Sequence, residues 1–166
     1  MGSRTHSGSI VVRSSPEALY ALVSDVTRTG EWSPVCRACW WDEGHSGRVG
    51  DWFTGRNEVP GRTWETRSQV AVADRGREFA WVVSGRLVRW GFLLEPVDDG
   101  TRLTETWEFL PAGLEFFAER YGDDAPRQIE DRTRAAHEGI PATLAAIKRI
   151  AEAPDPLAQS TPQGYT

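Results

Sequence analysis

Four side chains carry most of the chemical possibilities in this sequence: Glu105, Asn57, Arg37 and His137. Between Leu103 and Phe109 the residue types alternate, and in an extended segment alternate side chains share a face. Leu103, Glu105, Trp107 and Phe109 fall on one side, with Arg102, Thr104, Thr106 and Glu108 on the other. The first set is apolar except for Glu105, which predicts a carboxyl on an inner face, where ionisation is costly without a partner. Such a group can act as a general acid or base, or it can anchor the sheet through an ion pair. Asn57 shares a face with Phe53, Gly55 and Val59. Its amide can orient a carbonyl or phenol, or serve the turn chemistry of the neighbouring Pro60 and Gly61.

Cys36 and Cys39 form a C-x-x-C pair. Zinc would need two further ligands at suitable spacing, and two of the three histidines, His6 and His45, fall outside regular segments. A redox motif would need a helix N-terminus. Here the pair precedes Trp40 and Trp41 in a predicted strand, where positions three apart point to opposite faces. Reduced thiols and no metal site are expected. The register of this segment stays open: either Arg37, Cys39 and Trp41 face inward, or Cys36, Ala38 and Trp40 do. No nucleophile elbow, phosphate-cradling glycine loop or nucleotide fingerprint occurs, so no cofactor and no covalent catalysis are expected.

The elements that must position these residues follow from periodicity and turn chemistry. Residues 1–8 read as a disordered lead, and a short strand begins at Ser9. Ser15, Pro16 and Glu17 open a helix whose apolar stripe is Ala18, Leu19, Leu22 and Val23. A second helical turn covers Val26 to Glu31 and stops before Pro34. Six strands follow near 35–43, 51–59, 62–74, 77–84, 86–97 and 101–110, each bounded by Gly, Pro or Asp turns. A loop with a possible short helix spans Pro111 to Pro126. A helix then runs from Arg127 to Glu152, with Ile129, Ala136, Ile140, Leu144 and Ile147 on one face and an expected kink at Gly139 and Pro141. His137 flanks that apolar face, as a proton shuttle or a boundary residue. The tail, 153–166, reads as disordered.

Composition bounds the rest. The 166 residues suit a single domain, 9–152, with room for a core and a cavity. A net charge of -5 argues against nucleic acid. The chain contains no run of about 18 apolar residues, and its start carries no apolar leader, so no membrane span and a cytoplasmic location are expected. Eight tryptophans supply a large, rigid, flat and amphipathic surface.

A strand, two short helices, six antiparallel strands and a long last helix imply an α+β fold, because only that helix can cover a sheet of such size. The chain resembles the START-like, birch-pollen-allergen-like superfamily with its helix-grip fold. Within it, the chain is similar to the bacterial polyketide cyclase/dehydrase (SRPBCC) group. Ser15-Pro16-Glu17, Asp25 to Arg28 and Glu31 to Pro34 carry the resemblance, with Val49 to Phe53 and Gly55-Arg56-Asn57. Arg89 to Phe92, Glu95-Pro96 and Gly100 to Glu108 complete it, so that it spans residues 9–152.

The resemblance implies a curved seven-stranded antiparallel sheet around the C-terminal helix, with a ligand cavity between them. It places Trp41 inward, which would bring Arg37 to the mouth to balance Glu105 or grip an anionic oxygen. Trp32, Trp41, Phe53, Trp64, Trp81 and Trp90 are then expected to line the cavity with Phe92 and Trp107. Thr66 and Ser68 add hydroxyls, Ile140 the helix side, and Phe117 a lid. A cofactor-independent cyclase or dehydratase acting on an aromatic or polyketide-like compound is one reading. A non-catalytic carrier or sensor of a hydrophobic ligand is the second, and a filled, partner-binding module the third; a homodimer is possible in each.

Overall fold

In the computed structural model, which describes residues 4–154, strands and helices follow the expected order. They are β1 (Arg4–Val12), α1 (Pro16–Val23), a 3-10 turn (Val26–Glu31), β2 (Cys36–Trp41) and β3 (Trp52–Val59). Then come β4 (Arg62–Asp74), β5 (Glu78–Val83), β6 (Val88–Val97), β7 (Gly100–Phe109), α2 (Pro111–Tyr121) and α3 (Ala125–Glu152). The seven strands form one antiparallel sheet in the order β1-β7-β6-β5-β4-β3-β2, with the long C-terminal helix against its concave face. Ser15 caps α1 by accepting the Ala18 N–H at 3.1 Å, and Pro16 starts the helix with a pre-set φ. Gly61, at φ +79°, makes the β3–β4 reversal, a conformation open to glycine at little cost.

Three boundaries differ from the sequence reading. β1 begins at Arg4, so residues 4–8 are strand rather than a disordered lead. They pair along β7 from Gly8 opposite Glu105 to Arg4 opposite Phe109, and the Arg4 guanidinium donates to Glu130 on α3 at 2.9 Å. The segment after β7 is a helix of 11 residues, α2, because Phe109 and Phe117 pack edge to face 4.9 Å apart and hold it on the sheet. α3 runs 28 residues through Pro141, which lies on its exposed face. Of the expected tail, residues 155–166 lie outside the described residues.

The core sits between the sheet, α1 and α3. Val12, Leu19, Phe79, Phe92, Leu103, Phe109, Ile140 and Ile147 are almost wholly buried there. Each such side chain contributes about 1.5–3 kcal/mol of transfer free energy. α3 leans toward one edge of the sheet. Ile140 and Leu144 pack over Gly8, and Lys148 Nζ donates to the Val11 carbonyl at 2.7 Å. Farther across, the concave side chains of β3 to β6 are less covered: Asn57, Thr66, Trp64, Trp81 and Trp90 all keep partial exposure. The sheet is therefore closed over β1 and β7 and open toward β3 to β5.

Candidate functional site

Glu105 is the chemical anomaly of the concave face. It stands between Leu103 and Trp107 on β7, with Phe92 opposite on β6 and Gly8 opposite on β1. The residue is 5 % exposed, and its Oε2 has no hydrogen-bond partner among the described residues. Burial pushes its carboxyl up to about 8, since removing water penalises the charged form. At neutral pH the side chain is mostly a neutral acid holding a proton. An apolar fold without a task for this position would be better served by leucine; a lone buried carboxyl is costly to keep.

A second polar pair lies on the opposite wall. Asn57 on β3 and Thr66 on β4 both point into the concavity, and Asn57 Nδ2 donates to Thr66 Oγ1 at 3.1 Å. Among the described residues no donor reaches Asn57 Oδ1, and the Thr66 hydroxyl proton is uncommitted. Together they offer one acceptor and one donor to a ligand. Ser68, further along β4, is buried opposite Phe53 and Val83.

Between these polar groups the aromatic side chains pack in a continuous chain on the concave face. Trp41 meets Phe53 at 5.5 Å, Phe53 meets Trp81 at 6.1 Å, and Trp81 meets Phe92 at 5.8 Å. On the other side Trp90 and Trp107 lie 6.5 Å apart, and Trp107 leads through Phe109 to Phe117 on α2. Trp64 sits near the rim with the Arg62 guanidinium 4.0 Å from its ring. Trp32 belongs to the buried core at the end of the 3-10 turn, and Ile140 is buried where α3 meets β1.

Two expected participants are placed elsewhere. Arg37 is exposed and forms no ion pair among the described residues, so it does not balance Glu105. The reason is a bulge: the register of β2 on β3 shifts between Cys36 and Ala38. The extra residue breaks the alternation, turns both cysteines inward and leaves Arg37 outside. His137 is exposed one turn before Ile140, and its ring stacks on His6 at 3.7 Å. It marks the seam between α3 and β1. His6 and Gly8 belong to β1, within the stretch expected to be a disordered lead. The run His6-x-Gly8-x-Ile10-x-Val12 carried the same period-two signal as the rest of the strand.

Two grooves are formed by other residues. One of about 870 Å³ is lined by Tyr20, Ser24, Arg48 and Arg75 among others, and one of about 450 Å³ by Arg77, Glu78, Glu95 and Arg102. Neither is lined by Glu105, Asn57 or a tryptophan. Among the described residues no group of three or more His, Cys, Asp or Glu is placed to hold a metal ion, and no helix is long and apolar enough to cross a membrane.

Residues 4–144 match the family described as polyketide cyclase / dehydrase and lipid transport. Among solved structures, the chain is 49% identical to the polyketide cyclase-like protein Cgl2372 of Corynebacterium glutamicum. That likeness covers 98% of each chain with a TM-score of 0.68. The di-domain aromatase/cyclase StfQ of the steffimycin biosynthetic pathway is 14% identical with a TM-score of 0.69, over 90% of this chain and 51% of that one. A START superfamily protein of Mycobacterium smegmatis is 17% identical, with a TM-score of 0.65 over 89% and 97% of the two chains. The last two likenesses are of fold, and they match the helix-grip architecture. No curated protein matches.

Proposed function

Starting from the premise that this chain belongs to the polyketide cyclase / dehydrase and lipid transport family, we propose that it encloses a hydrophobic aromatic or polyketide-like molecule and catalyses its cyclisation or dehydration without a cofactor. The observation that carries this reading is the buried Glu105 carboxyl on the concave face, its Oε2 without a partner among the described residues. In a dehydration, Glu105 gives its proton to the departing hydroxyl, which leaves as water. The resulting carboxylate takes the proton α to the substrate carbonyl, the double bond forms, and the acid is regenerated. The indole-lined walls hold a flexible chain in its reactive conformer, and the Asn57–Thr66 pair fixes a hydroxyl or carbonyl at the far wall.

A carrier reading has one observation in its favour: neither Arg37 nor His137 joins Glu105, so neither of these two groups assists it in proton transfer. Native mass spectrometry of the purified protein separates both readings from a filled, partner-binding interior by revealing a co-purified compound. Incubation of that compound with wild type and Glu105→Gln then decides between enzyme and carrier. Catalysis requires that wild type convert it and that Glu105→Gln bind it, by tryptophan quenching, without converting it. Binding without conversion by either protein makes the chain a carrier.

A further inference from the structure

Cys36 and Cys39 have no part in the site just described, yet the fold brings their thiols together. In a regular strand they would point to opposite faces. The bulge in β2 cancels that: Cys36 opposes Asn57, Cys39 opposes Gly55, and both side chains are buried on the concave side. Gly55 lies beneath the two sulfurs. A Cβ built there would touch both sulfurs at ordinary van der Waals distance, 3.4 Å from Cys36 Sγ and 3.8 Å from Cys39 Sγ, so the two sulfurs converge over one position. The Cys36 thiol donates to the Ala38 carbonyl at 3.3 Å, and the neighbouring Cys39 holds Cys36 below the usual thiol range while Cys36 and burial push Cys39 up. The two thiols are thus unequal, one inclined to be the thiolate and the other to keep its proton.

We propose that Cys36 and Cys39 form a redox-active dithiol in the cleft wall, which a peroxide converts into an internal disulfide. The Cys36 thiolate attacks one peroxide oxygen, forming an S–O bond as the O–O bond breaks, and the released hydroxide takes up a proton to become water. Cys39 then attacks the Cys36 sulfenic acid. The S–S bond forms, the S–O bond breaks, and the Cys39 proton leaves with the hydroxide as a second water. Each sulfur loses one electron, and the peroxide gains two.

Geometry gives this step a structural consequence. The β3 partners of the two cysteines are two residues apart, about 6.6 Å along a strand. That lies at the upper end of the span a disulfide bridges, about 4.4–6.8 Å between Cα atoms. An internal bond is therefore within reach of the bulge as it stands and would fix the wall beside Asn57, whatever role Glu105 plays.

The test exposes the native full-length chain to hydrogen peroxide, then counts thiols after denaturation and maps the peptide holding both cysteines. The expected result is loss of both thiols together, a peptide lighter by two hydrogens, and recovery of both thiols with dithiothreitol. Cys39→Ser should accumulate a dimedone-reactive sulfenic acid at Cys36, and Cys36→Ser should leave Cys39 unmodified. Thiols that survive peroxide in the native chain, disulfide-linked dimers, or oxidation to sulfinic acid without an internal bond would each overturn the proposal. If the serine variants do not fold, the wild-type thiol count still decides.

Discussion

Gly8 lies directly opposite Glu105 across the β1–β7 ladder, at the place where α3 comes down onto the sheet. The buried acid and a contact of α3 are therefore two sides of one backbone pair. A Cβ on Gly8 would meet Ile140 Cγ2 at 2.9 Å, so a larger residue must displace the Ile140 side chain, or α3 with it, from the floor on which Glu105 sits.

Gly8→Val tests that relationship. Overpacking of this kind costs about 1–3 kcal/mol, and the displaced helix should admit water to Glu105. Chemical denaturation should show the lost stability, and the Glu105 carboxyl should titrate closer to its ordinary range. Unchanged stability together with an unchanged titration would show that α3 does not rest on this position.

The raised carboxyl of Glu105 also sets a pH dependence with a definite sign. Its value is about 8 in the folded chain against 4.5 for the free side chain, so the folded state holds the proton more tightly than the unfolded state. Stability is then greatest at low pH within this window and falls as pH rises from about 4.5 to about 8, by on the order of 5 kcal/mol at most. Glu105→Gln, which cannot ionise, should flatten that slope. Urea unfolding of both proteins at about pH 6 and pH 9 checks it, and parallel slopes in the two proteins would count against the burial argument.

Asn57 and Thr66 should matter to binding rather than to turnover. Removing a hydrogen bond to ligand costs about 1 kcal/mol, so Thr66→Val and Asn57→Ala should each weaken tryptophan quenching by the captured ligand about fivefold. A reading in which the ligand lies only against β7 and α3 predicts no change in either variant.

His137→Ala should leave ligand affinity within about twofold, as for other exposed substitutions, because the ring stacks on His6 at the outer seam. A large loss of conversion at unchanged affinity would return His137 to the proton path.

Most of the architecture was legible in the sequence because the elements are regular. Seven alternating segments with glycine or proline turns, followed by a long helix of period 3.6, leave few ways to cover a sheet. The alternation in β7 was enough to put Glu105 inside. What escaped the reading was irregular. The bulge at Cys36–Ala38 reverses the facing of Arg37 and unites the cysteines, and no residue type announces it. His6 and Gly8 escaped for a different reason: an edge strand made of small polar residues looks like loose chain until β7 and α3 supply its partners. Contacts between distant elements, such as His6 with His137, depend on how α3 docks and have no local signature.

Carbon-13 NMR titration of the Glu105 carboxyl, assigned by comparison with Glu105→Gln, asks of this one atom group whether it holds its proton under working conditions. The result expected here is a midpoint near 8 that moves when the co-purified compound is added. A midpoint in the ordinary carboxylate range near 4.5, indifferent to that compound, would contradict a buried acid at the heart of this cleft.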